Sequence, residues 1–259
     1  MFRIDRKKVT AAFDEYVSGY DINNTKIFLK SEHTYHVAEN AEIIAKSLFG
    51  AQTSIDFAWF LGMLHDIGRF EQVTRFDTFN DSVSVDHAEF GADLLFKEGL
   101  IQKFLTADDL ENQKYLSLAE TSIRLHNKLT LTTGLDEETE CFCHLLRDAD
   151  KTDIFRVLVE IPPEKRTGGF EGIPGQIGAR DDVMQYVYQH SCVPRMTKRT
   201  TFEAFIAQCC MAFELHFDKT KSLVENQGYL ERYLNRVPEN DVEEKQIQIL
   251  KEELEKIFR

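Results

Sequence analysis

The sequence predicts an all-α protein, and three observations carry the prediction. Proline is scarce: there are five, and three of them (Pro162, Pro163, Pro174) fall within one short stretch. The long segments on either side lack breakers and repeat their apolar residues at three- and four-residue spacing, the period of a helix with one buried face. No alternating strand pattern bounded by Asn-Gly or Asp-Gly turns occurs.

The elements follow in order. A helix is expected from about Glu32 to Phe49, stopping at Gly50, with His33, Val37, Ile44 and Leu48 on its inward stripe. A second runs from near Ser54 to Gly68, where a glycine suits a left-handed residue after a helix. It is apolar nearly all round (Ile55, Phe57, Trp59, Phe60, Leu61, Met63, Leu64), so it should be central and buried. A third is expected from Ser84, as N-cap, to Gly99, and a fourth from Thr106, as N-cap, to about Asn127. A fifth runs from Asp136 through Asp150 to about Glu160. The stretch Pro162–Gly178 holds three Pro and five Gly and reads as a loop. Further helices follow, the last over roughly Asn240–Phe258 with Ile247, Leu250, Leu254 and Ile257 on one face.

This gives a single all-helical domain over 1–259: a core at 25–160, a loop at 161–178 and a C-terminal helical extension at 179–259. Composition bounds the function. Lys plus Arg is 31 and Asp plus Glu is 44, a formal charge of −13. So acidic a chain is a poor candidate for gripping a nucleic-acid polymer. It has no apolar run long enough for a transmembrane helix, and no apolar run behind the charges of Met1–Lys7, so neither a membrane partner nor a signal peptide is expected. Five cysteines without framework spacing fit reduced thiols in the cytoplasm.

The chemistry gathers around Leu64-His65-Asp66-Ile67-Gly68-Arg69. Burying an ionised Asp without a partner is costly. A divalent cation would satisfy it and would use the neutral imidazole too. Taken alone, the dipeptide has a plainer reading, a hydrogen-bonded pair at a capped helix end. Four other predicted helices also each turn one candidate ligand to an apolar face. His33 lies on its stripe; His87 shares a face with Gly91 and Leu94–Leu95; His126 with Ala119 and Ile123; Asp150 with Leu146, Ile154 and Val157. Imidazole and carboxylate without thiolate suit Fe, Mn, Zn, Ni or Co.

On His33-Thr34-Tyr35-His36-Val37-Ala38, Leu64–Arg69 and Ala149-Asp150-Lys151, in the order H…HD…D, the chain resembles the HD-domain superfamily of metal-dependent phosphohydrolases. Asp86–Gly91 and Leu125-His126-Asn127 resemble the two extra histidines of the two-metal members. The resemblance implies an HD-domain helical bundle core with additional C-terminal helices, and two divalent metal ions. His33, His65, Asp66 and Asp150 would hold the first ion. His87 and His126 would hold the second, with Asp66 bridging. A bridging hydroxide would attack the phosphorus of a small phosphomonoester or phosphodiester, with nucleotides the leading class. Arg69 takes the position where a basic residue often meets phosphate, and with Asp66 it is the expected catalytic pair. Arg124, Lys128, Arg147 and Lys151 are further candidate substrate contacts. His36, three residues after His33, is either a neighbour of the ligands or substrate-facing. Two rival functions share these ligands: a di-iron oxygenase of the same fold, and a non-catalytic nucleotide or metal sensor.

The remaining features read as structure. Cys141-Phe142-Cys143-His144 has no second half and should be core, as should Cys209-Cys210. Asp148 should be solvated. The acidic last helix should pack on the domain or form a homodimer contact.

Overall fold

The structure, a computed structural model, describes residues 2–162, 177–194 and 200–258. Among these it is all helix and turn, with no strand. The chain divides into two compact units, one formed by residues up to Ile154 and the other by Phe155–Pro162 and the described residues from 177 onward.

In the first unit, α1 (Arg6–Ser18) begins at Asp5, whose side chain accepts from the Lys7 and Lys8 amides. α2 (Thr25–Leu48), capped by Asn24, starts seven residues ahead of the expected Glu32. α3 (Gln52–Leu64) is buried along nearly its whole length. α4 (Gly68–Phe76) follows after one turn and ends on Asp77, which is left-handed. A 3-10 turn at Asp81–Val83 leads into α5 (His87–Ala92), which continues as a π-helical turn over Asp93–Lys97. α6 (Ile101–Phe104) and α7 (Ala107–Leu110) are single turns, and α8 (Gln113–Leu125) and α9 (Glu137–Glu160) are long.

Three expectations about these elements are corrected. The third helix starts not at Ser84 but at His87, because Asp86 supplies the cap, accepting from the Ala88 and Glu89 amides. The fourth is broken between α7 and α8, where Asn112 makes a second N-cap. Gly68 is not a left-handed terminator but the first residue of α4. It is there for space: a Cβ would stand 2.6 Å from the His87 carbonyl oxygen and 2.7 Å from the Gly91 amide nitrogen. α2 and α3 approach just as closely, since a Cβ on Gly62 would lie 2.5 Å from Ala38 Cα. Around this pair the core is aromatic, with Phe13, Phe57, Phe60, Phe70, Phe104 and Phe142 fully buried.

The second unit contains the end of α9 from Phe155, α10 (Asp181–Tyr188), α11 (Thr201–Cys209) with a 3-10 turn at Cys210–Glu214, α12 (Asp218–Gln227), α13 (Tyr229–Leu234) and α14 (Asp241–Phe258). A capping box between Thr200 and Glu203 starts α11, and buried Glu203 pairs with Arg180 at 2.8 Å. Ile247, Leu250 and Leu254 of α14 are buried. Most of the expected loop at 161–178 lies outside the described residues. No described helix is long and apolar enough to cross a membrane.

Candidate metal centre

Five elements of the first unit each deliver a ligand-type side chain to one place. His33 comes from the third turn of α2. His65 caps the C-terminal end of α3, and Asp66 follows in the tight turn before α4. His87 opens α5, His126 caps the C-terminal end of α8, and Asp150 lies midway along α9. His33, His65, Asp66, His87 and His126 are all buried.

The geometry falls into two groups that share Asp66. Its Oδ2 lies 3.7 Å from His33 Nε2 and 3.5 Å from His65 Nε2. Asp150 Oδ1 completes this group, 3.0 Å from His33 Nε2 and 3.8 Å from His65 Nε2. The other Asp66 oxygen, Oδ1, lies 3.3 Å from His87 Nε2 and 3.7 Å from His126 Nε2. Donors bound to one ion at about 2.0–2.2 Å stand roughly 3.0–3.6 Å apart, and both groups match or slightly exceed that spacing.

Every imidazole is oriented by its other nitrogen. His65 Nδ1 donates to the Gly62 carbonyl and His126 Nδ1 to the Ile123 carbonyl, each at 2.7 Å and each three residues back. Both rings thus satisfy a carbonyl that a helix end leaves open. His87 Nδ1 donates to Asp81 Oδ2 at 2.7 Å, and His33 Nδ1 to Asp153 Oδ2 at 2.6 Å. Each Nδ1 therefore carries a proton, and the four Nε2 atoms face inward. His33 Nε2, His65 Nε2 and Asp66 Oδ1 make no hydrogen bond among the described residues. His87 Nε2 and His126 Nε2 are 3.1 Å apart. Buried acceptors with no donor between them are costly. Divalent cations fit here because they supply the missing positive partner. The residues that would hold them form the groups His33–His65–Asp66, joined by Asp150, and Asp66–His87–His126.

The electrostatics suit that use. Burial alone would raise the Asp66 carboxyl, but Lys30 and His65 hold it well below its ordinary value. Asp150 is likewise held low, against its burial, by His33 and His65. Burial pushes His65 down. Burial and the Arg69 guanidinium push His87 down to about 3, although Asp81 and Asp66 pull the other way. Burial and Lys30 also press on His33, but Asp150 and Asp153 outweigh them and its net direction is up. Near neutral pH the carboxylates are charged, and His65 and His87 are neutral, as ligands must be.

The basic candidates fare differently. Arg69 is buried at the start of α4. Its Nη1 donates to Gln72, the Phe79 carbonyl and Asp81, while Nε lies 3.5 Å from Asp66 Oδ1 without a hydrogen bond. Arg124 is engaged by three carboxylates, those of Glu89, Asp93 and Glu120. Lys128 pairs with Asp86 at 2.6 Å and Glu89 at 3.4 Å. Arg147 is buried and donates to the Lys128 and Leu129 carbonyls, fastening the chain after α8. These three therefore hold structure together with the donors that were expected to meet substrate. Lys151 is half-buried on α9, and His36 is half-buried with Glu39 3.9 Å away.

Sequence reasoning overlooked Lys30, Asp81 and Asp153, and it misplaced Asp148. Lys30 sits one turn before His33 and its Nζ is 2.5 Å from Asp66 Oδ2. Its spacing from His33 was the available signal. Asp153 likewise follows Asp150 by three residues on one helix. Asp148 is completely buried rather than solvated. Cys143 is buried, Cys141 only partly.

Residues 31–155 match the family model described as HD domain, and that stretch contains all six candidate ligands. That stretch, just under half of the chain, is similar to the HD domain, an all-α fold. No curated protein and no solved structure matches it.

Proposed function

We propose that the protein is a metal-dependent phosphohydrolase acting on a small phosphomonoester or phosphodiester, with nucleotides the leading class. One observation carries this reading: the Asp66 carboxylate divides its two oxygens between two sets of inward Nε2 atoms. That is the arrangement a bridging ligand needs. Divalent cations in the two groups would make a bound water acidic enough to serve as nucleophile at neutral pH and would offset charge on phosphoryl oxygens.

The chain's own residues do the rest. His33, His65, His87 and His126 are locked in ring orientation by their Nδ1 partners, so the ligand atoms need no rearrangement on binding. Asp81 accepts from both His87 and Arg69 and so fixes the second group to the guanidinium beside it. Arg69 presents Nε toward the centre and adds positive charge there. HD-domain proteins are mostly metal-dependent hydrolases, which supports the class of reaction.

The test begins with elemental analysis of protein purified without added metal. It continues with phosphate release from a panel of nucleotides after loading with Mn, Co, Ni, Zn or Fe. About two equivalents per chain and turnover of a phosphate ester are expected. Asp66→Ala should lose both ions and all activity. Failure to bind metal even after reconstitution would sink the proposal. Oxygen consumption by the iron form, without phosphate release, would replace it with the oxygenase reading.

A further inference from the structure

We propose that Lys30 is a substrate-anchoring residue, its ammonium binding a non-bridging oxygen of the phosphate when the centre is loaded. The inference rests on the phosphohydrolase reading and extends it to a residue outside the ligand set and outside the HD motif. Lys30 lies one helical turn before His33 on the same face of α2, so its side chain is delivered to the same place as the ligand. Its side chain is only 16% exposed, and Nζ stands 2.5 Å from Asp66 Oδ2. Beside it, the Phe79 ring lies 5.5 Å from Lys30 Nζ and 5.5 Å from Arg69 Cζ. One aromatic ring therefore holds both cations at the edge of the two-group centre. The second cation is itself nine-tenths buried, with an Nε that has no hydrogen-bond partner among the described residues.

Lys30 balances the buried Asp66 charge. Once each Asp66 oxygen belongs to a ligand shell, its negative charge is drawn toward the ions and Oδ2 becomes a weaker partner for the ammonium. A mostly buried ammonium with only a weakened acceptor is unfavourable. Phe79 still holds it in place, so it requires a new anion. The loaded centre is strongly positive, because the Asp66 and Asp150 carboxylates face two divalent cations with Lys30 and Arg69 alongside. The anion such a site draws in is one with several negatively charged oxygens, and a terminal phosphate supplies them. Lys30 and Arg69 then approach it from the side held by Phe79.

The experiment compares wild type, Lys30→Met and Lys30→Arg, each metal-free and each loaded with Mn2+. Metal content, thermal melts and calorimetric titration with inorganic phosphate are read on the same samples. Loaded Lys30→Met should keep the wild-type metal content and bind phosphate at least about tenfold more weakly, with Lys30→Arg recovering most of the loss. Its melting temperature should fall well below wild type in the metal-free form, where Asp66 loses its partner, and match wild type when loaded. Phosphate binding as tight as wild type in loaded Lys30→Met overturns the proposal. So does loss of metal from that variant, which would make Lys30 a support for Asp66. If loaded wild type itself binds no phosphate and releases none from any ester, the phosphohydrolase reading has failed, a result separate from either of these.

Discussion

The tightest controls in this centre are single hydrogen bonds behind the ligands. Asp153 is the carboxylate that orients His33, 2.6 Å from its Nδ1. Replacing it by Asn leaves an acceptor but removes the charge that makes the imidazole more basic. Asp153→Asn should therefore weaken metal binding by about 10–100-fold with the fold intact, measured by competition with a chelator. His87 carries a pH signature. In the folded, metal-free protein its pKa is pushed down to about 3, whereas an unfolded histidine titrates near 6.5. Between those values the unfolded chain binds the extra proton, so His87 lowers stability progressively as pH falls below about 6.5. The melting temperature of metal-free wild type, relative to metal-free His87→Gln, should accordingly drop as pH is taken from about 7.5 to 5. A difference that stays flat over that window would show that His87 is not held neutral by its surroundings.

Helix ends and helix crossings, more than helix interiors, place the ligands. His65 and His126 cap the C-terminal ends of α3 and α8, where the helix dipole favours positive charge. His87 is held by the crossing of α4 and α5 at Gly68 and Gly91, whose backbones abut. Gly68→Ala places a methyl 2.6 Å from the His87 carbonyl, and backbone cannot yield as a flexible side chain does. That substitution should cost about 1–3 kcal/mol in thermal or denaturant unfolding and should displace His87. Elemental analysis should then show loss of the second ion before the first. Unchanged stability would mean that the two helices slide apart freely. Element boundaries were less legible than element existence. The α2 start at Asn24, the Asp86 cap and the α7–α8 break depend on which of several competing polar side chains finds an amide. Nearby Ser and Asn residues offered equivalent signals.

At the scale of the whole molecule, metal binding and folding are linked. The six candidate ligands lie on distant parts of the chain and come together only when the first unit folds, so an unfolded chain offers no comparable site. Ions bound to the native state alone stabilise it, by about 4 kcal/mol when free ion stands a thousandfold above its Kd. Chelation should lower the melting temperature by roughly 8–16 °C for a chain of this size, and excess divalent cation should restore it. A melting temperature indifferent to chelator would remove the two groups as a metal site.

Periodicity and the scarcity of proline determined that the chain is helical, and the H…HD…D order pointed to the HD domain that residues 31–155 match, because both depend only on which residue stands where along the chain. The six candidate ligand positions stood out for the same reason: each lies on a face whose apolar neighbours mark it as inward. Tertiary structure decided what surrounds them. Lys30, Asp81 and Asp153 act on Asp66, His87 and His33 through space, over sequence separations of 36, 6 and 120 residues. Arg124 and Arg147 looked available until carboxylates and carbonyls from other segments were seen to hold them. Asp148 looked solvated until α9 was seen to be buried on that face too. A sequence shows the charges a site possesses. Only packing shows which are already neutralised and which remain to meet a ligand.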